Sequence, residues 1–235
     1  MTALEIVVQD PAGAAIAHAV NADRVELCAA LGTGGLTASA GCIALTSKVG
    51  IEVHTLIRPR AGGFVFTPGE LAVQVEDVAR AVQLGASGVV IGALNSDQTI
   101  DTAAVRALVA AAGDHEVTYH RAFDIVDSPF DALEQLVDLG VTRVLTSGQA
   151  PRCSEGLDAL AALVVRAAGR IQIQAGGGIK IEDIPAIAAT GVDAVHLSAR
   201  GQSSQAGPAG PGGGVEALYD ITDAEAVAAA AQALR

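Results

Sequence analysis

The sequence predicts a single-domain (β/α)₈ barrel of the TIM type, with a polar ligand site where its strands end. Three observations carry that prediction. Eight short β-branched runs alternate with eight longer, Ala-rich stretches, the pattern of a parallel sheet with crossover helices. Polar residues recur at the same end of nearly every run, whereas an open doubly wound sheet gathers its ligand groups at one switch point. The chain has 235 residues, close to the ~250 of a typical barrel.

The runs, in order, are Leu4–Val8, Arg24–Cys28, Ile51–Ile57, Gly88–Gly92, Val117–His120, Arg143–Ser147, Ile171–Gln174 and Ala194–Ser198. Between them the apolar spacing is helical; Leu71, Val75, Val78 and Val82 fall three or four residues apart. Pro11, Pro68, Pro129 and Pro185 sit near helix starts, where a missing N–H costs little. Gly85, Gly140 and Gly191 fall where helices should end. Gly201–Gly214 is rich in Gly, Pro, Ser and Gln and reads as a mobile loop ahead of a last helix, Asp223–Leu234.

Composition narrows the function. Apolar residues make up 51% and aromatics only 3%, so the core must be built from Ala, Val, Ile and Leu. The formal net charge of −12 argues against nucleic acid and against an anionic membrane surface. No basic leader followed by an apolar run opens the chain, and no apolar stretch is long enough to span a bilayer. Cys28, Cys42 and Cys153 form no C-x-x-C pair, which suits reduced thiols in a cytoplasm. Barrels often oligomerise, so a homo-oligomer is among the expected assemblies.

Alternation along a strand sorts the residues by face. Val25 and Leu27 suit the helix side, which turns Arg24, Glu26 and Cys28 inward. His54, Leu56 and Arg58 share the inward parity of the third run, and Gln172 and Gln174 that of the seventh. His196 and Ser198 point in from the eighth, and Glu5 from the first. His120 closes the fifth run, with Arg121 and Asp124 on the loop behind it. Unpaired buried charges are costly, so this interior is either a paired network or a binding site. Strand C-termini are where barrel enzymes keep catalytic groups. Glu26, His54, Arg58, His120, Arg121, Asp124 and His196 are therefore the catalytic candidates.

Gly176-Gly177-Gly178 after the seventh run and Ser198-Ala199-Arg200 after the eighth occupy the usual phosphate position of this architecture. Gly176, Gly177, Gly178, Ser198 and Arg200 are the anion-binding candidates, although a Gly triplet also serves as a tight turn. Lys48 and Lys180 are the only lysines and neither lies in a strand, which sets Schiff-base aldolase chemistry aside. Zinc or manganese would suit Glu26, His54, His120 and His196. Copper(I) prefers thiolate, for which Cys28 is placed inward and Cys42 could approach it. The alternative for each cysteine is a small packed residue.

Several blocks carry a family resemblance. Residues 22–28 (Ala-Asp-Arg-Val-Glu-Leu-Cys), 34–37 (Gly-Gly-Leu-Thr), 57–60 (Ile-Arg-Pro-Arg), 120–124 (His-Arg-Ala-Phe-Asp), 145–148 (Leu-Thr-Ser-Gly), 176–178 and 196–200 (His-Leu-Ser-Ala-Arg) resemble the CutC family, in family order. The resemblance implies a TIM barrel, a cytoplasmic role in copper homeostasis, and copper as a candidate ligand. It places Glu26, His54, Arg58, His120, Arg121, Asp124, His196 and Ser198 at the barrel mouth, and Cys28 and Cys42 as metal ligands. Asn21 stands where the family has Gly, a change confined to a turn. Two functions follow as expectations: copper handling, or an enzyme acting as an isomerase, lyase or hydrolase on a small anionic substrate, a phosphorylated one being among the options.

Overall fold

The computed structural model describes residues 2–203 and 219–235. Eight parallel strands close into a barrel in chain order. They are β1 (Ala3–Val8), β2 (Arg24–Leu27), β3 (Glu52–Leu56), β4 (Gly88–Ile91), β5 (Glu116–Tyr119), β6 (Arg143–Thr146), β7 (Gln172–Gly176) and β8 (Ala194–Leu197). The helices are α1 (Pro11–Ala19), α2 (Ala40–Thr46), α3 (Pro68–Gln83), α4 (Thr102–Ala112), α5 (Pro129–Asp138), α6 (Leu157–Ala167), α7 (Ile184–Ala188) and α8 (Ala224–Ala233). Among the described residues, no helix is long and apolar enough to cross a membrane.

Local chemistry starts and stops these helices. Thr67 caps α3 in a reciprocal capping box with Glu70, and Pro68 takes the first helical position. Asp10, Asp101 and Asp223 cap α1, α4 and α8 with their carboxylates. Asn21, in the turn before β2, has a φ of 59°. Asn tolerates that left-handed conformation better than other non-glycine residues, so the turn accepts it.

The predicted parity holds around the barrel. Ile6, Val25, Val53, Val89, Val117, Val144, Ile173 and Val195 all belong to the one large apolar cluster between sheet and helices. Val7, Cys28, Leu56 and Val90 form a separate small cluster inside the barrel. Most of the remaining interior is polar: Glu5, Arg24, Glu26, His54, Thr118, Arg143 and Gln174 are all buried.

One expected boundary is corrected. The start of the predicted 201–214 loop is strand: β9 (Arg200–Gln202) pairs antiparallel with β10 (Asp220–Thr222). Its partner lies beyond the Gly-rich stretch, so local composition did not signal it. Residues 204–214 of that predicted loop lie outside the described residues.

Candidate active site at the barrel mouth

The barrel interior is organised from the bottom upward. Arg143, on β6, donates from Nε to Gln172 Oε1 (2.8 Å), from Nη1 to Thr118 Oγ1 (3.0 Å) and from Nη2 to Glu116 Oε2 (2.8 Å). His54 completes this layer. Its Nδ1 faces Arg143 Nη1 at 3.5 Å, and its Nε2 lies 3.5 Å from Glu116 Oε2. The His54 ring occupies the space over Gly88, where a Cβ would come within 2.8 Å of Nε2. Burial pushes its pKa down to about 4, the nearby Arg143 and Arg24 adding to the effect against the pull of Glu5. His54 is thus a neutral member of a packed polar layer and does not line the mouth cavity.

A second network forms the floor. Glu5 accepts hydrogen bonds from Arg24 Nε and Gln174 Nε2, and Arg24 Nη2 donates to Gln174 Oε1 at 2.8 Å. His196 Nδ1 donates to Glu5 Oε1 at 2.6 Å. Burial raises the Glu5 pKa, but the His196 hydrogen bond and the Arg24 charge outweigh it and hold the carboxyl well below its ordinary range. His196 shows the converse balance. Burial lowers its pKa, and the bond to Glu5 with the charges of Glu26 and Glu5 raises it overall.

Above the floor lies a cavity of about 270 Å³, walled by residues from the ends of several strands. Glu26 and His196 line it, as do Arg58, His120, Arg121 and Ser198. Glu26 is only 7% exposed, and among the described residues its carboxyl has no hydrogen-bond partner. Burial raises its pKa to about 7; His196 opposes the shift and Glu5 adds to it. Donor atoms of Glu5, Glu26 and His196 all lie within 4.8 Å of one another.

The walls are built by specific contacts. Arg121 Nε donates to Asp124 Oδ2 at 2.7 Å and Nη2 to Ser147 Oγ at 3.1 Å. Asp124 also accepts from Thr146 Oγ1 (2.5 Å) and Ser147 N (3.0 Å), so it orients Arg121 rather than entering the cavity. The guanidinium lies against Gly177, where a Cβ would meet Arg121 Cζ at 2.8 Å. Gly177 and Gly178 line the cavity with Ser198. Gly176, the last residue of β7, packs against Leu145 and His196 just behind them.

Arg58 donates to the carbonyls of Thr33 (3.3 Å), Gly35 (3.0 Å) and Gly62 (2.7 Å), tying two mouth loops together. Its Cζ stands 5.3 Å from the centroid of the Phe64 ring. His120 fits over Gly92, where a Cβ would come within 2.2 Å of the imidazole, and its centroid is 4.7 Å from that of Phe64. Its Nδ1 accepts from Ala122 N at 3.1 Å. Burial, with help from the Arg58 charge, lowers its pKa to about 3.

Three further candidates lie away from the cavity walls. Arg200 sits on the β9–β10 ribbon and pairs with Asp220 at 3.3 Å. Cys28 is buried in the inner apolar cluster, where desolvation and Glu26 push its thiol up. Cys42 is half-buried, with Sγ 3.4 Å from Gln9 O, and burial raises its pKa as well. Among the described residues, no group of three or more potential ligands includes either cysteine; the group found is Glu5, Glu26 and His196. Two carboxylates and an imidazole suit a hard or borderline ion, so this donor set does not fit copper(I). Phe64 was missed from the sequence, because a lone aromatic in a Gly-rich loop carries no parity signal.

Fold and site together define a (β/α)₈-barrel protein with a ligand cavity at the C-terminal ends of its strands. The CutC family model matches residues 2–201, and the chain belongs to that family. It is 46% identical over 200 residues to a CutC family protein of Xanthomonas axonopodis pv. citri, spanning 84% of this chain and 83% of the relative. It is 42% identical over 201 residues to one of Glaesserella parasuis, spanning 85% and 83%. A crystal structure from Streptococcus agalactiae, given provisionally as a copper homeostasis protein CutC, superposes with a TM-score of 0.76 at 35% identity. That match covers 83% of this chain and 98% of the other.

Proposed function

We propose that this CutC-family barrel binds a small anionic substrate at its mouth and moves a proton on it through Glu26. The single observation that carries the reading is the Glu26 carboxyl, buried, without a hydrogen-bond partner and facing the cavity. Its pKa of about 7 suits a group that must both release and take up a proton near neutrality. His196, held in one tautomer by Glu5, is the second proton carrier. Arg121, with the backbone of Gly177 and Gly178 and the Ser198 hydroxyl, supplies donors for a phosphate-like anion. Isomerisation, elimination and hydrolysis all use this equipment. The three unpaired cysteines support a reducing, cytoplasmic location.

Copper handling is the second reading, favoured by the streptococcal neighbour's description and by Cys28 close beneath the mouth. In that case copper is cargo, and the raised thiol pKa values make its uptake release protons.

Separate soaks of crystals in phosphate and in copper(I) distinguish the two. Phosphate density within hydrogen-bond distance of Arg121 and Gly177 is the expected result. An empty mouth at saturating phosphate, with copper bound at about one per chain and lost in Cys28→Ala, would overturn the anion reading. Infrared spectroscopy tests the proton carrier. Wild type should show a protonated carboxyl band at pH 6 that Glu26→Gln removes, and an identical spectrum in the variant sinks the role of Glu26.

A further inference from the structure

The anion donors of Arg121, Gly177, Gly178 and Ser198 occupy one side of the cavity. The opposite side holds two polar groups that the proposed proton chemistry leaves unused. Arg58 Nε and His120 Nε2 are both buried, and neither has a hydrogen-bond partner among the described residues. Both side chains line the cavity, and both flank the Phe64 ring, which walls it between them. Orphaned buried donors are uncommon and costly in a finished fold. Here two occur together, on the residues that end β3 and β5. In the closed strand order, that wall is separated from β7 and β8 by β6 on one side and by β1 and β2 on the other.

The chemistry of the pair is specific. Because His120 Nδ1 accepts from Ala122 N, the proton of the neutral ring belongs on Nε2. The ring is seated over Gly92 and against Phe64, and neither orphan atom has accessible surface, so an acceptor reaches them when the Phe64 side chain gives way. The orphan atom therefore donates, and it requires an acceptor oxygen. Arg58 adds a second donor and a positive charge that its three carbonyl partners solvate but do not neutralise. An uncharged donor beside a cation selects a carboxylate over a hydroxyl. At about 30 Å³ per water, a cavity of about 270 Å³ admits a ligand of about ten non-hydrogen atoms.

We propose that the substrate is a short phosphorylated carboxylate, its phosphate at Arg121, Gly177 and Ser198 and its carboxylate at His120 and Arg58. This rests on the anion reading above and adds the second end of the molecule. His120 then serves as a fixed neutral donor and takes no proton itself. Its low pKa keeps it in that role throughout the physiological range.

Isothermal titration of the full chain with three probes tests the idea: 2-phosphoglycolate, ethyl phosphate and inorganic phosphate. Wild type should bind 2-phosphoglycolate at least about tenfold more tightly than ethyl phosphate, the scale of one added hydrogen bond to a charged group. His120→Ala should cut that preference severalfold, Arg58 retaining the rest, and should weaken 2-phosphoglycolate binding more than ethyl phosphate binding. Equal wild-type affinities for the two organic probes would overturn the two-ended substrate while leaving the phosphate site intact. Failure of all three probes to bind would overturn the phosphate site as well. Should His120→Ala not fold, a crystal soak of wild type in 2-phosphoglycolate decides. Carboxylate density at His120 Nε2 is expected, and density elsewhere refutes the assignment.

Discussion

Two buried polar regions share one barrel, and they treat their charges in opposite ways. Below, Arg143 spends its donors on Gln172, Thr118 and Glu116, and the Glu5–Arg24–Gln174 cluster closes on itself. Above, among the described residues, the Glu26 carboxyl has no hydrogen-bond partner, and His120 and Arg58 each keep one donor unused. Residue types and burial are similar in the two regions. In the lower layer His54 Nε2 also lacks a hydrogen bond, but it faces Glu116 at 3.5 Å and no cavity. An unmet group marks the site only where the cavity adjoins it, and an interior charge alone does not signal function.

That contrast can be broken first at the floor. Glu5→Gln removes the countercharge of Arg24, both side chains being almost fully buried. Stripping one partner from a buried pair should lower unfolding stability by about 3–5 kcal/mol. Urea denaturation at pH 7 checks this, and a loss below about 1 kcal/mol would mean the floor is not a closed network.

Glu26 should behave in the reverse sense. Its pKa in the fold is about 7, against an ordinary 4.5. Between those values the unfolded chain has released a proton that the folded chain retains, so wild-type stability falls as pH rises through that window. Glu26→Gln removes this term. The variant should gain about 2–3 kcal/mol relative to wild type between pH 4.5 and pH 8. Parallel stability-versus-pH curves for the two proteins would contradict the raised pKa.

The smallest effect tests the wall. Gly177 has a φ of 130° and leaves no room for a methyl group beside Arg121. Gly177→Ala should cost about 1–3 kcal/mol in strain, displace the guanidinium and weaken phosphate binding about tenfold. Unchanged phosphate affinity with Arg121 visibly displaced would remove Arg121 from the anion site.

Much of this was legible in the chain. Parity placed Glu5, Arg24, Glu26, Gln174 and His196 inside, because alternation in a strand leaves no third direction. It could not rank them. His54 and His120 share the inward parity, yet one joins the lower layer and the other the cavity wall, since strand tilt and stagger set the depth. Arg200 was placed in the anion site because it closely follows β8. The structure instead pairs it with Asp220, on a ribbon whose second strand lies far along the chain. Arg58 and Asp124 keep their places at the mouth, but their hydrogen bonds make them a loop tie and a guide for Arg121.

Strand β4 brings no titratable side chain to the interior, and for that reason it is easily overlooked. Its two bare positions, Gly88 and the adjoining Gly92, are the berths in which the imidazoles of His54 and His120 rest. A single methyl group at either berth would evict the ring above it. A variant silent by every chemical criterion would then rival loss of the histidine itself, and a survey of reactive groups alone would not see it coming.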